Sequence, residues 1–314
     1  MKKIIKYISL CAAIMAFTAC SGKSNDTNDT EAPMISIKWA NPARVVQNTP
    51  YIDAGATAMD DVDAMVVVTS IDDVDTSMPG EYSINYTAKD KAENSATATR
   101  RVIVVEDEDI THNGTVYGIV ASPYTGKIWL DRNLGATQVC TSFDDELCYG
   151  DYYQWGRNYD GHQDKNSLTT KTQASDTNNA GSYFIIGHSD WVSSDNSGDE
   201  RSNNWSKTDG GSVCPVGFRV PTLAESKAEL FDENTLKIEN REDAFKSFLA
   251  LPSTGLRIGS GGNMRDVGIT GYIRTLSANS LKVSGFLFGE NGVEFVKDVN
   301  NLRAVALSVR CIKK

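Results

Sequence analysis

Several features that support catalysis or nucleic-acid binding are missing from this sequence of 314 residues. It has three histidines, and none lies at the spacing of a metal motif such as HExxH. It has no GxSxG nucleophile motif and no glycine-rich phosphate loop after a strand. Acidic residues outnumber lysine and arginine by 41 to 31, and no basic run is present to neutralise phosphates. We therefore expect a protein that is not an enzyme, needs no cofactor and binds no nucleic acid.

The sequence also lacks an apolar run long enough to cross a bilayer as a helix. The apolar run from Ile8 to Phe17 is short and follows a basic start made by Lys2, Lys3 and Lys6. This arrangement is typical of a secretory signal. The N-terminus is therefore expected to direct export rather than to form part of the fold.

The signal ends in the tetrapeptide Phe17-Thr18-Ala19-Cys20, which resembles a bacterial lipobox. The resemblance implies cleavage before Cys20 and a lipid, containing palmitate, on the Cys20 thiol. Residues 1–19 are then a lipoprotein signal peptide, and the polar residues 20–32 are a flexible tether. We expect a lipid-anchored protein of the cell envelope, held at the outer membrane and exposed at the surface.

Cysteine is absent from residues 33–105, and four cysteines remain in the rest of the chain after Cys11 and Cys20 are set aside. An even number in an exported protein indicates disulfides, and four cysteines allow three pairings. We favour Cys140–Cys148, because these two are close in sequence, and Cys214–Cys311, because these two bracket the second half of the domain. On the chain-entropy model the long bridge contributes about 4–5 kcal/mol.

Residues 33–105 show the alternation of short strands and no helical period. Tyr82, Ile84 and Tyr86 share one face of a strand, and seven short strands predict a β-sandwich. The Asp-Ala-Gly-Ala step at 53–56, the aspartate-rich turn and the Pro-Gly-Glu-Tyr strand entry at 79–82 resemble bacterial immunoglobulin-like modules of surface proteins. That resemblance implies an all-β, immunoglobulin-like spacer or binding platform, followed by an acidic linker at residues 106–112.

Four aspartates, Asp60, Asp61, Asp63 and Asp90, are expected at one end of this sandwich. Carboxylates are the ligands that calcium prefers. Aspartate side chains also cap turns by accepting hydrogen bonds from nearby backbone amides, and no EF-hand spacing is visible. We favour turn capping and predict no metal site, although the sequence leaves calcium open.

Residues 113–314 predict an α+β domain. Two strands flank the turn at 122–126, Thr222 and Glu225 form a capping box, Asn240 caps a second helix, and Asn291-Gly292 predicts a hairpin. Four motifs, GKIWLDRNLGA, CYGDYYQWGR, CPVGFRVPTLAE and SVRC, resemble the Fibrobacter succinogenes major paralogous domain. That family is distantly similar to C-type-lectin-like and sulfatase-modifying-factor-like folds. The resemblance implies a C-type-lectin-like domain with two short helices and long polar loops.

The polar stretch at residues 158–212 is the expected site of function, because loops this long are usually functional or disordered. We expect Trp191, Trp205 and Tyr152 to offer ring faces to a ligand, whereas Tyr153 and Trp155, at strand spacing, are expected in the core. The predicted function is adhesion or carbohydrate binding: the C-terminal domain binds an extracellular glycan or protein, with the sandwich as spacer. The alternative is a structural envelope component without a soluble ligand.

Overall fold

The computed structural model describes residues 29–231, 238–279, 282–296 and 303–314. The predicted signal peptide and Cys20 lie outside these ranges. The described part is mostly β structure with three α-helices. Within these ranges, no helix combines the length and apolarity needed to span a membrane.

The N-terminal segment forms a sandwich of six described strands, one fewer than the sequence predicts. These are β1 (Met34–Ile37), β2 (Ala43–Val46), β3 (Ala56–Met59), β4 (Val68–Asp72), β5 (Gly80–Lys89) and β6 (Ser95–Val105). One sheet pairs β1 with β3, and the other has the order β2-β6-β5-β4. All the pairings in the larger sheet are antiparallel except that of β2 with β6, which is parallel.

Alternation along β5 and β6 builds the core of the sandwich. Ile84, Tyr86 and Ala88 of β5 are buried, and Val102 and Val104 of β6 lie on the same inner face. Burying a side chain such as Val or Ile stabilises a fold by about 1.5–3 kcal/mol. The sandwich contains no cysteine, so its covalent chain has no cross-link and this packing stabilises it.

The rest of the chain folds into short strands and three helices. The strands are β7 (Ile110–His112), β8 (Thr115–Tyr117), β9 (Ile119–Ala121), β10 (Ile128–Leu130), β11 (Tyr153–Gln154), β12 (Thr169–Thr170), β13 (Phe184–Ile185), β14 (Phe218–Arg219), β15 (Leu256–Arg257), β16 (Met264–Arg265), β17 (Gly271–Asn279), β18 (Lys282–Gly289), β19 (Gly292–Val296), β20 (Ala306–Leu307) and β21 (Ile312–Lys313). The helices are α1 (Asp199–Trp205), α2 (Leu223–Leu230) and α3 (Arg241–Lys246), with a 3₁₀ turn at Glu146–Cys148.

These strands form two four-stranded sheets and three smaller ones. The larger sheets have the orders β14-β21-β10-β9 and β11-β20-β15-β16; the smaller are β17-β18-β19, β12-β13 and β7-β8. The predicted hairpin around 122–126 is present as β9 and β10. The late hairpin is present too, but Gly289 pairs with Gly292, so its two turn residues are Glu290 and Asn291 rather than Asn291 and Gly292. The strand β7 begins inside the predicted linker.

Local capping signals place two of the helices. Thr222 and Glu225 form the predicted capping box at the start of α2, and the Asn240 side chain accepts from the Asp243 amide at the start of α3. The helix α3 ends at Lys246, and Phe248 lies two residues beyond it. The helix α1 is not predicted from the sequence, and the described domain therefore has three helices instead of two.

The sandwich and the C-terminal domain share a core. Val46 of β2 is buried in the same cluster as Tyr117, Ile119 and Leu130. Beside it, Arg44 donates a hydrogen bond from Nη1 to the Gly126 carbonyl at 3.0 Å. The sandwich is therefore packed against the second domain.

Candidate functional site

The three aromatic residues predicted to contact a ligand are inside the protein. Trp191 and Trp205 are fully buried, and Tyr152 is 1% exposed. The prediction of exposed ring faces is therefore wrong. Tyr153 and Trp155, predicted as core residues, are buried as expected.

Each of these buried rings satisfies its polar atom through a backbone carbonyl. Trp191 Nε1 donates to the Trp155 carbonyl at 2.8 Å, and Trp205 Nε1 donates to the Arg157 carbonyl at 3.3 Å. The Tyr152 hydroxyl donates to the Thr254 carbonyl at 2.6 Å. A buried N–H or O–H group without an acceptor would destabilise the fold. Because each of these donors has a carbonyl acceptor, the three rings can be buried without that penalty.

Buried arginines complete the packing around the tryptophans. The Arg201 guanidinium lies 5.1 Å from the Trp155 ring centroid and 5.3 Å from that of Trp191. It pairs with Asp190 at 2.6 Å and with Asp195 at 3.0 Å. Buried charges are tolerated when they are paired and hydrogen-bonded in this way. The cluster stabilises the domain and offers no surface to a ligand.

The long polar stretch at 158–212 is folded by aspartate turns. Asp164, Asp176, Asp195 and Asp209 each accept a hydrogen bond from a backbone amide two or three residues further along the chain. Aspartate favours such turns because its short side chain reaches its own backbone. Polarity in this stretch therefore comes from turn formation.

The sandwich aspartates also act mainly as turn caps. Asp60 Oδ1 accepts from the Asp63 amide at 3.1 Å, and Asp90 accepts from the Asn94 amide at 2.8 Å. Asp63 pairs with Lys91 at 2.6 Å, and the Lys91 hydrogen bonds lower the pKa of its carboxyl. The four aspartates considered for calcium therefore do not form one ligand set.

A smaller acidic group does gather at this end of the sandwich. Carboxylate oxygens of Asp29, Asp60 and Asp61 lie within 4.8 Å of one another. Burial is the main reason that the pKa of Asp29 is raised, and the nearby charges of Asp60 and Asp61 add to it.

The histidines are held by hydrogen bonds to the fold. His162 is fully buried, with Nδ1 at 2.6 Å from Asp160 and Nε2 at 3.1 Å from the Gln154 amide nitrogen. Burial lowers the pKa of His162 to about 4, although Asp160 opposes the shift. The imidazole is therefore neutral near pH 7 and accepts a hydrogen bond from the Gln154 amide. His112 and His188 each lie 2.8 Å from a backbone carbonyl oxygen.

The structure contains both predicted disulfides, Cys140–Cys148 and Cys214–Cys311. The second connects the residues just before β14 and β21, which are neighbours in one sheet. Cys214 and Cys311 are both fully buried, so the bond is a structural cross-link rather than an accessible thiol pair.

A cleft of about 570 Å³ lies between the two domains. Four aromatic residues line it: Trp39 and Tyr51 from the sandwich, Tyr124 and Phe248 from the C-terminal domain. The ring centroids of Trp39 and Tyr124 are 5.1 Å apart at an interplanar angle of 75°, and those of Tyr124 and Phe248 are 6.2 Å apart at 71°. This volume falls within the range of about 300–1,000 Å³ typical of small-molecule sites.

A buried arginine fixes the sandwich side of this cleft. Arg100 occupies an inward position of β6 and donates to the carbonyls of Lys38 and Ala40, on either side of Trp39. Its Nε lies 2.9 Å from Asp53. Trp39 has a φ of 62°, a left-handed conformation that is strained for a bulky residue and persists only where its surroundings enforce it. The Arg100 contacts enforce it.

A buried glutamate fixes the opposite side. Glu229 of α2 accepts hydrogen bonds from the Ser122 and Thr125 hydroxyls, in the turn that carries Tyr124. Burial raises the pKa of Glu229, and these hydroxyls oppose the shift. The cleft is not visible in the sequence, because Trp39 and Tyr124 lie in loops of different domains and no local pattern indicates that two such loops meet.

Comparison with known proteins supports the N-terminal assignment. Residues 35–104 match the family model described as bacterial surface protein, Ig-like domain, which confirms an immunoglobulin-like domain in this part of the chain. No curated protein matches the chain. Among solved structures, it is similar to the crystal structure of the lipoprotein BT2262 from Bacteroides thetaiotaomicron, with 16% identity and a TM-score of 0.21. That match covers 33% of this chain and 62% of the other. The Fibrobacter-type and C-type-lectin-like assignments of residues 113–314 stay predictions.

Proposed function

We propose that this protein is a lipid-anchored, non-catalytic component of the bacterial cell envelope that binds an extracellular glycan or protein. The lipid is attached at Cys20, and residues 20–32 hold the folded part away from the outer membrane. The partner binds to the C-terminal domain and to the part of the sandwich next to that domain.

The match of residues 35–104 to an immunoglobulin-like domain of bacterial surface proteins carries this proposal. The lipobox-like residues before Cys20 support the mode of attachment, because a lipid is then the membrane contact. Because Val46 is buried in a core shared with the second domain, the sandwich is more than a spacer. The sandwich also forms one wall of the cleft.

Lipid attachment and surface exposure are tested on cells producing the full chain. We expect incorporation of an alkyne-labelled palmitate that is abolished by Cys20→Ser and retained by Cys11→Ser, the matched control. Protease added to intact cells should digest the chain, while a periplasmic marker stays whole. Label retained in Cys20→Ser, or a chain protected until the cells are lysed, contradicts the anchoring or the exposure.

Ligand binding is tested with residues 29–314, which contain every contact described above. We expect binding on an array of glycans and extracellular matrix proteins. Heat-unfolded protein is the negative control. A folded protein that binds nothing on the array contradicts the glycan-or-protein proposal and favours the alternative.

One observation favours that alternative, a structural envelope component without a soluble ligand. Trp191, Trp205 and Tyr152 are all buried and serve the core. A deletion strain would then show altered sensitivity to detergents while its binding to glycans and matrix proteins is unchanged.

A further inference from the structure

The cleft between the sandwich and the C-terminal domain has the chemistry of a small-molecule site. We propose that it binds a small organic acid, whose apolar body lies against the aromatic rings and whose carboxylate meets Arg44 and Lys246. Such a small ligand is distinct from the glycan or protein of the proposed function, and its binding does not depend on that partner.

The lining of the cleft is mostly apolar. Trp39, Tyr124 and Phe248 form a continuous row of rings across the two domains, with edge-to-face contacts between neighbours. Aliphatic side chains, including Ile119 and Val45, complete the lining. Apolar and aromatic surface with a few placed polar groups is the usual composition of a small-molecule site. A strongly polar ligand would lose its hydration here without enough partners.

The charged groups in the lining favour an anion. Three cationic residues, Arg44, Arg100 and Lys246, line the cleft, and among its described residues Asp53 carries the only carboxylate. Asp53 is already engaged, because Arg100 pairs with it and the Tyr86 hydroxyl donates to it at 2.7 Å. Arg44 and Lys246 therefore give the cleft a net positive charge, although the whole chain has a formal charge of −10.

Lys246 is suited to meet a ligand rather than to stabilise the fold. It is the last residue of α3, its side chain is exposed, and within the described residues it forms no ion pair. Its replacement should leave the fold unchanged. Arg44, in contrast, also holds the Gly126 carbonyl across the domain junction.

The two walls of the cleft are held in place before any ligand arrives. Arg100 fixes the loop around Trp39, and Glu229 fixes the turn around Tyr124. A preformed site avoids the entropy cost of ordering loops on binding. Its volume of about 570 Å³ admits a small molecule but not a folded partner.

The test uses 1-naphthylacetate as probe and 1-naphthylacetamide as its neutral match, each titrated by calorimetry into residues 29–314. The acid should bind with a single site and about tenfold more tightly than the amide, since the charge-assisted contact is lost in the amide. Binding of the acid should also quench the Trp39 emission, identified by comparison with Trp39→Phe.

Two variants locate the binding site. Lys246→Gln should weaken the acid about fivefold to tenfold and leave the amide unchanged, whereas Lys171→Gln, an exposed lysine outside the cleft, should change neither. Ala54→Trp, which fills the cleft, should abolish binding of both probes while its circular dichroism stays that of the parent protein.

Three outcomes would overturn the proposal. Equal affinity for the acid and the amide would show that Arg44 and Lys246 do not recognise the carboxylate. Binding of the acid that survives Ala54→Trp in a folded protein would place the probe elsewhere. Binding of only an acidic peptide or an acidic oligosaccharide, with no naphthylacetate bound, would show that the cleft serves a larger partner.

Discussion

The indole of Trp39 meets the phenol ring of Tyr124 edge to face, with ring centroids 5.1 Å apart, across the junction of the two domains. Trp39 is 42% exposed, whereas each of the other four tryptophans is 2% exposed or less. The fluorescence of Trp39 therefore reports on the junction, because this is the tryptophan that solvent can reach there.

Collisional quenching should separate Trp39 from the buried tryptophans. We expect acrylamide to quench only a minor part of the total emission, and Trp39→Phe to remove most of that part. Tyr124→Ala should increase the quenching, because it removes a ring that covers part of the indole. The measurement is a Stern–Volmer titration; unchanged accessible emission in Trp39→Phe would contradict the burial of Trp129, Trp155, Trp191 or Trp205.

The Asp53–Arg100 pair should be necessary for the sandwich. Asp53→Asn leaves the Arg100 charge buried and uncompensated, so we expect a loss of about 3 kcal/mol in the free energy of unfolding. The neighbouring Arg101, which is exposed and pairs with Glu81 at 2.7 Å, is the matched control. Arg101→Gln should cost less than about 1 kcal/mol. Urea unfolding measures both, and equal losses would contradict the buried role of Arg100.

The two disulfides should differ in their contribution to stability. Replacing Cys214 and Cys311 together by serine should cost about 4–5 kcal/mol on the chain-entropy model, because the bridge closes a loop with a sequence separation of 97. The same change at Cys140 and Cys148, with a separation of 8, should cost about 2–3 kcal/mol. Guanidinium unfolding gives both values. Two free thiols in the folded, unreduced protein would contradict the pairing itself.

Glu225 should make the stability pH-dependent below about pH 4.5. Burial alone would raise its pKa, but the Arg219 guanidinium and the Thr222 amide and hydroxyl outweigh burial and lower the pKa to about 2. Because the folded pKa is depressed, the stabilisation is fully present above the unfolded value of 4.5 and is lost as the pH falls toward 2. Because Glu225 and Arg219 are partly exposed, solvent screening makes the effect smaller than the full pKa shift implies, and Glu225→Gln should cost about 2 kcal/mol at pH 7 and progressively less in acid.

The control for this pH effect is Glu146→Gln. Glu146 is 69% exposed and lies 3.8 Å from Lys165, so its replacement should change the free energy of unfolding by less than about 1 kcal/mol. Urea unfolding at several pH values gives both differences. A Glu225→Gln difference that stays constant from pH 7 to pH 3 would contradict the capping interaction.

Local signals in the sequence were sufficient for part of the fold. Thr222 and Glu225 are three residues apart, so one turn of chain contains the whole capping interaction and the sequence reveals it. The β5 and β6 pairing is similarly local, and its alternation predicts which side chains face the core. Both disulfides followed from cysteine number and spacing.

The rest depends on contacts between distant residues. The helix α1 contains Ser202, Asn203 and Asn204, which are poor helix formers, and tertiary contacts around Arg201 and Trp205 outweigh their preference. The burial of Trp191 similarly requires the Trp155 carbonyl, 36 residues away. The polar sequence around Trp191 suggested an exposed ring. The polar side chains there instead form hydrogen bonds within turns, so they do not place the ring at the surface.

The position of β21 has a consequence for the order in which the protein acquires its structure. This strand lies between β14 and β10, and Trp129 pairs with Ile312. Until residues 312–313 have been synthesised, β10 and β14 have no strand between them, and Cys214 has no native thiol partner before Cys311. The sandwich also has a core of its own, which includes Val45, Ile84 and Val102, so this core is free to form earlier, while Val46 is covered by the second domain. We therefore expect a nascent intermediate with a folded sandwich core and an open C-terminal sheet, vulnerable to protease until its last strand is in place.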